Sequence, residues 1–469
     1  MNAPIAPERL SAAHEAELFS PARFPVLGSA GRDMLRRLVA HPHAPTFHDF
    51  SGHRLTPTQL TEAQARHGQL QRAALPVRHD ARDAPEWAAA WVRQLAASVP
   101  AHAGLNGPMP AWPSLPTTSR ADFSARLAQH LPRGLPLDRL LCFSTSGTTG
   151  HPLKVPSLPE VAADYQAYHD RALAHFGLHR RAGEGDVGIV LAGFQQRCFS
   201  YVSVNPLHGE CGLVKLNLNP ADWRDPSDRA LYLDALAPEL VSGDPLSLSE
   251  LAGLGLQHRP RAMLSTSMAL HHGLREQLQG RFGCPVLDLY SMNEVGPIGV
   301  FDPALDGFVL LQPRLHVEVV DSAGRPLPWG EPGEVTVSGG FNPCLPLLRY
   351  RTGDFARLEP TAQGPVLRGL QGRAPVRFQR ADGSWVNNVE ITKALAPMPL
   401  VRFALHQRAD GRLCLRVDSR SPLSLIAPSL RAAVESRLGP GLALAIEPLE
   451  ADDKLRQYTS DLDGTPPPC

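Results

Sequence analysis

Residues 144–150 read Ser144, Thr145, Ser146, Gly147, Thr148, Thr149 and Gly150, and Pro152 and Lys154 follow closely. Glycines let such a backbone turn its N–H groups toward an anion, the hydroxyls add donors, and Lys154 brings a mobile positive charge. The pattern suits the phosphates of a nucleotide triphosphate and constrains what must surround it. The apolar run at 140–143 predicts a buried strand leading into the loop, and Ser157 three residues before Glu160 predicts a helix start with capping-box spacing after it. No Gly-Lys-Ser or Gly-Lys-Thr closes the loop onto a helix, so it is not a Walker loop. On composition alone, a flexible Ser/Thr/Gly surface turn fits these residues equally well.

The rest of the chain decides between those readings. Its 469 residues, 43% of them apolar, are enough for two or three domains around a substantial core. Lys and Arg together number 46, as do Asp and Glu, which leaves no basic footprint for nucleic acid or an anionic membrane. The first residues lack a basic start with an apolar segment behind it, and no apolar run is long enough to span a bilayer, so the expected location is cytoplasmic. Seven cysteines, at 142, 198, 211, 284, 344, 414 and 469, never form a Cys-x-x-Cys pair and are expected to be buried free thiols. Nineteen histidines are scattered, with a loose group at His41, His43 and His48; no local spacing supports metal ligation, and structural or surface roles are expected.

Periodicity supplies an outline of the fold. Residues 1–110 predict mainly helix, with Trp87, Trp91 and Leu95 on one face. From 131 to 320, strand-like runs such as 187–191 alternate with helical patterns such as 270–282, which argues for an α/β core with parallel strands. Residues 315–337 change to hairpins around a turn at 321–324, the mark of a smaller β subdomain. After a polar, turn-rich stretch at 371–380, two strands flank a turn at 409–411, a helix over 423–438 stops at Gly439 and Pro440, and another strand follows at 442–446. The expected architecture is α/β: a large multi-subdomain N-terminal domain over 1–372 with a β subdomain, a hinge, and a small α+β domain over 373–469.

Two further segments end in carboxylates. Residues 285–296 run from an apolar strand into Tyr290, Ser291, Met292, Asn293, Glu294, Val295 and Gly296, and residues 347–354 end in Arg349, Tyr350, Arg351, Thr352, Gly353 and Asp354. Taken in order with the Ser/Thr/Gly loop and with Gly372 and Arg373, these segments resemble the adenylate-forming superfamily of acyl-CoA synthetases, adenylation domains and luciferases. The resemblance is to the branch of phenylacetate-CoA ligases and capsule-synthesis-type ligases, and it covers roughly residues 115 to 460.

That resemblance implies an ATP-dependent, Mg²⁺-assisted carboxylate ligase that forms an acyl or aryl adenylate and passes it to CoA. It implies that residues 144–150 with Lys154 hold the β- and γ-phosphates, and that Glu294 ligates Mg²⁺. Tyr290 then stacks on adenine, Ser267 in the 265–268 loop forms the opposite wall, and Ser291, Asn293 and Arg373 complete the nucleotide site. Asp354 accepts hydrogen bonds from the ribose hydroxyls. Lys454 on a small, reorienting C-terminal domain neutralises charge during adenylation, with Lys393 as its rival. By position, Phe194, Gln195, Phe199 and Tyr201 line the acyl pocket.

Other readings stay open from sequence alone. Glu294 could merely cap the turn before Gly296, Tyr290, Phe199 and Tyr201 could be core aromatics, and Lys454 could be a surface lysine. Asn293 stands where the family often has threonine, Ala374 and Pro375 follow Arg373 where acidic residues are common, and Asp453 replaces a common glycine. These departures bear mainly on the hinge and the second half-reaction. The acceptor could therefore be a carrier-protein thiol or an amine instead of CoA, and a nucleotide-binding protein without catalysis is the alternative from another class. A small-molecule carboxylate is the expected partner, and a homodimer is compatible with the sequence.

Overall fold

The computed structural model describes residues 12–47, 51–108, 110–144, 153–195, 198–372, 376–395, 397–449 and 457–462. Two compact units emerge, each assembled from separate stretches of chain: Met1–Gln71, His169–Asp288 and Pro399–Arg402 in the first, Arg72–Tyr168, Leu289–Met398 and Phe403–Cys469 in the second.

The first unit is the α/β part. Strands Val187–Gly193, Cys211–Asn217, Leu240–Gly243 and Ala262–Ser265 pair in parallel, joined by the first residues of Val286–Met292, while Tyr201–Asn205 pairs antiparallel at the edge. Helices Pro245–Gly253 and His272–Phe282 lie between successive parallel strands in sequence, as crossover connections require. The first of these helices starts at Asp244, whose carboxylate accepts the Ser247 N–H at 2.8 Å. The second ends on Gly283, whose φ of 64° allows the left-handed turn that stops a helix. The strands are buried along most of their length, as expected of a parallel sheet covered by helices. Leu35, Val190, Val214, Leu248, Met263 and Phe282 belong to the core they share.

The second unit is mainly antiparallel. Leu315–Val320, Pro332–Gly339, Leu347–Glu359, Val366–Gly372, Gly307–Leu310 and Gly296–Asp302 pair in that order, and Leu289 to Met292 close the series against Gly296–Asp302. Helix Ala88–Ser98 buries Val92 and Leu95 in a satellite core with Trp112 and Leu348. Toward the C-terminus, Leu444–Pro448, Leu413–Asp418, Arg402–Gln407 and Tyr458–Ser460 form a four-stranded sheet whose two outer pairs are parallel, with helix Leu423–Leu438 connecting Leu413–Asp418 to Leu444–Pro448. This is the small α+β arrangement expected from the sequence. That helix ends at Gly439, as its punctuation predicts.

Three expectations need correction. Strand Leu141–Ser144 is not buried: it pairs only with Lys154–Ser157, and Phe143 is 47% exposed. Ser157 does not cap a helix; it belongs to that hairpin, and helix Pro159–His175 begins after Leu158, whose carbonyl accepts from the N–H groups of Val161 and Ala162. The partner strand takes the core side of the hairpin, with Val155 0% exposed, while Cys142 and Phe143 stay outside, so apolar composition alone overstated the burial of this strand. The six described cysteines are free as expected, but Cys142 is exposed and Cys198 and Cys414 are half-buried; Cys469 lies outside the described residues.

Candidate nucleotide site

The carboxylate of Glu294 sits in a turn that its neighbours build tightly. Strand Val286–Met292 reverses into Gly296–Asp302, with Val295 N–H donating to Met292 O at 3.2 Å. Gly296 has φ 76°, and a Cβ there would lie 2.5 Å from the Phe341 ring and 3.0 Å from Tyr165, so no other residue fits this reversal. Glu294 is 3% exposed. The Tyr350 hydroxyl donates to its Oε1 at 3.1 Å, and Arg120 Nη1 lies 3.8 Å from the same oxygen. Arg120 opens helix Arg120–His130, whose N-cap Ser119 forms a capping box with Asp122 in the first turn.

Asp354 is aimed by an irregularity in its strand. Leu347–Glu359 pairs with Pro332–Gly339 so that Arg351 stands opposite Thr336 and Phe355 opposite Glu334, which leaves more residues on one side than on the other. Gly353, at φ 81°, takes up the bend, and its N–H donates to Glu334 Oε1 at 3.0 Å. Thr352 Oγ1 donates to Val335 O at 2.8 Å and accepts the Asp354 N–H at 3.1 Å. Arg351 holds the other Glu334 oxygen, with Nε at 2.6 Å from Oε2. The Thr-Gly-Asp run is therefore a bulge that presents a carboxylate.

Tyr290 links the two segments. Its hydroxyl donates to Asp354 Oδ2 at 2.8 Å, and its ring packs edge-on against Phe308 within the second unit's core. Burial pushes the Tyr290 phenol well above its usual range, and the charges of Asp354 and Glu294 push it further. It stays protonated and remains a donor to Asp354. Tyr350 is raised in the same way, by burial and then by Glu294. Ser291 is half-buried and hydrogen-bonded to Tyr165, whose phenol burial pushes up to about 12; Asn293 is exposed in the turn.

The remaining residues named from the sequence are placed as follows. Ser144 ends one strand of the hairpin and Lys154, exposed, begins the other; Thr145, Ser146, Gly147, Thr148, Thr149 and Gly150 lie outside the described residues. Arg373 and Lys454 lie outside them too, although Gly372, the residue before Arg373, stands opposite Asp354 in the sheet. Lys393 falls in helix Asn388–Leu395. Ser267, exposed with φ 70°, belongs to the first unit, just after strand Ala262–Ser265. Phe194, Gln195, Phe199 and Tyr201 are also in the first unit: Gln195 is exposed, Phe194 and Tyr201 are half-buried, and Phe199 is 49% exposed with Lys215 Nζ 5.3 Å from its ring centre.

Sequence reasoning missed Tyr350 and Arg120 as partners of Glu294, and Arg349 as a structural clamp. Arg349 is 1% exposed at φ 45°; its Nε donates to Glu318 Oε1 at 3.0 Å, and its Nη atoms donate to Leu115 O at 2.7 Å and Gly324 O at 2.6 Å. Only the basic residue inside an apolar run, Leu347-Leu348-Arg349-Tyr350, hinted at burial with partners.

No protein-family model matches the chain. Its fold is shared with 2-hydroxyisobutyryl-CoA ligase, solved in the postadenylation state with 2-HIB-AMP, at a TM-score of 0.55 and 18% identity over 86% of this chain and 89% of that one. In sequence and fold the chain is similar to members of the adenylate-forming superfamily. Its curated relatives there include phenylacetate-coenzyme A ligases. That of Thermus thermophilus is 24% identical over 335 residues, 64% of this chain and 70% of the relative, and that of Pseudomonas putida is 32% identical over 99 residues, 20% of this chain. The match to the Pseudomonas putida enzyme spans 23% of that relative's length.

Proposed function

We propose that this protein is an AMP-forming carboxylate ligase. A carboxylate oxygen attacks the α-phosphorus of ATP, pyrophosphate leaves, and the resulting acyl adenylate is attacked by the thiol of CoA, releasing AMP. The reading rests above all on one observation: two tyrosine–carboxylate hydrogen bonds, Tyr290 to Asp354 and Tyr350 to Glu294, lie close enough that each carboxylate acts on both phenols, with one carboxylate half-buried and one buried.

Each residue has a task that its surroundings suit. Asp354 accepts the ribose hydroxyls through charge-assisted hydrogen bonds, while Tyr290 fixes the carboxylate's orientation. Glu294 supplies one anionic oxygen, and Mg²⁺ is commonly held by one or two carboxylates plus substrate phosphates, so the donor set fits that ion. When bound, Mg²⁺ neutralises charge on the phosphate oxygens. Tyr350 keeps the Glu294 side chain in place, and Arg120 adds a positive charge at 3.8 Å. Residues 144–150 with Lys154 bind the β- and γ-phosphates, with Ser267, Ser291, Asn293 and Arg373 completing the nucleotide site. Phe194, Gln195, Phe199 and Tyr201 bound the acyl group. Residues 373–469 act as the small mobile domain and bring Lys454 to the charge that builds during adenylation.

Incubation with ATP, Mg²⁺, a panel of carboxylates and CoA tests this function. Carboxylate-dependent AMP and a thioester are the expected products. AMP with transfer only to an amine or a carrier-protein thiol would change the acceptor, and no AMP with any pair would leave a nucleotide-binding protein.

Asp354→Ala leaves the ribose hydroxyls without their acceptor, at a cost of about 1–3 kcal/mol. ATP affinity should fall about tenfold or more. Calorimetry giving unchanged affinity would remove Asp354 from the ribose site.

A further inference from the structure

Four side chains converge in the first unit, apart from every residue assigned above. His67 and Gln71 lie one turn apart on helix Pro57–Arg72, Asp170 lies on helix Pro159–His175, and His208 lies in the turn between strands Tyr201–Asn205 and Cys211–Asn217. His67 Nε2 is 3.0 Å from Asp170 Oδ2, and His208 Nε2 is 3.5 Å from the same oxygen. The ligand atoms of these three residues all lie within 4.8 Å of one another. The Gln71 side-chain amide is 3.0 Å from both His67 Nε2 and Asp170 Oδ2.

Asp170 Oδ2 is crowded by the Gln71 amide and both imidazoles at 3.0–3.5 Å. With the Gln71 NH₂ facing inward, it and a His67 Nε2–H can both donate to that oxygen, but the two donor nitrogens then stand 3.0 Å apart. Arg180 Nε is 2.5 Å from Asp170 Oδ1, the carboxylate's other oxygen. With the amide turned over, His67 donates, but Gln71 Oε1 and Asp170 Oδ2 become two acceptors 3.0 Å apart. His208 Nε2 is buried without a hydrogen-bond partner, and His67 Nδ1 is likewise unpartnered, so only the Nε2 side sets the His67 tautomer.

We propose that His67, Gln71, Asp170 and His208 bind one divalent transition-metal ion of the zinc type. With the amide oxygen inward, four lone pairs face a common centre. Asp170 Oδ2 lies 3.0 Å from the His67 nitrogen and the Gln71 amide and 3.5 Å from the His208 nitrogen, near the edge of about 3.3 Å expected for a tetrahedron with metal–ligand bonds of about 2.0–2.1 Å. Two imidazoles with a carboxylate and an amide oxygen favour Zn²⁺ over the harder Mg²⁺ or Ca²⁺. Arg180 holds the carboxylate's second oxygen and orients the first, a second-shell role. Gln71 is exposed and His208 half-buried, which gives the ion a path from solvent. Bound there, the ion ties two helices and a strand turn of one unit together, a structural role. His67 and His208 are far apart in sequence, so no local ligand spacing could signal the site.

Titration of chelator-treated full-length protein with Co²⁺ tests the site, because tetrahedral Co²⁺ gives intense visible d–d bands. The wild type is expected to bind one Co²⁺ with those bands, to release it to one equivalent of Zn²⁺, and to melt at a higher temperature with Zn²⁺ than without. His67→Ala and the half-buried His208→Ala should each bind at least about tenfold more weakly and lose the bands. Far-ultraviolet circular dichroism of the metal-free variants confirms that they fold. No tetrahedral band in the wild type, or binding unchanged in a folded His208→Ala, overturns the proposal.

Discussion

Arg349→Met is expected to lower the stability of the second unit by about 3–5 kcal/mol, because it leaves the Glu318 carboxylate charged and buried without its partner. Both side chains are about 1% exposed. Glu318 then keeps a long contact from Trp112 Nε1 at 3.4 Å and the more distant charge of Arg78. Arg349 also donates to the carbonyls of Pro113, Leu115 and Gly324, which tie two separate segments to one strand residue. Those carbonyls set the outcome of a second variant. Replacing the pair by Glu318→Leu with Arg349→Met removes the stranded charge but leaves the carbonyls unpaired, so it should recover only part of the loss. Denaturant midpoints measure both. A shift of less than about 1 kcal/mol in the single variant, the range of a surface ion pair, would mean that the pair is not buried in solution.

Glu294→Gln should fold normally and yet slow adenylate formation by about 10²-fold or more, a loss comparable to removing one preorganised electrostatic group. The amide keeps the shape of the side chain and can still accept the Tyr350 hydroxyl, so the turn before Gly296 stays intact. What disappears is the anionic oxygen, and an amide is a much poorer ligand for a hard cation. Raising the Mg²⁺ concentration should restore part of the rate. Single-turnover quench measurements of the acyl adenylate, made alongside thermal melting, separate chemistry from stability. A folded variant that adenylates at the wild-type rate would reduce Glu294 to an anchor for the turn.

The chain announced most of its elements, because hydrophobic periodicity is a local signal. The strand at 187–191, the helix at 270–282 and the helix stopping at Gly439 were all legible, since each is fixed by residues within a few positions of itself. Burial was less legible. The run at 140–143 has a core-like composition but belongs to an isolated hairpin, and only the pairing partner determines that. The carboxylates Glu294 and Asp354 stood out by motif, whereas Tyr350, Arg120 and the buried Arg349–Glu318 pair depend on strand register and on segments distant in sequence, such as the one whose Pro113 and Leu115 carbonyls accept from Arg349 more than 200 residues away. The same reason explains His67, Asp170 and His208: no local ligand spacing pointed to a metal site, and only the fold gathers them.

The claim at the centre of this account is that Glu294 and Asp354 serve adenylation of a carboxylate. Exchange of labelled pyrophosphate into ATP tests it most directly, because the exchange reports formation of the acyl adenylate without requiring CoA or any other acceptor. The account predicts exchange with at least one member of a panel of aryl and short aliphatic carboxylates, dependent on that carboxylate and on Mg²⁺, and strongly reduced in Glu294→Gln. Full-length wild-type protein that binds ATP, yet exchanges no pyrophosphate with any carboxylate in the panel, would contradict it.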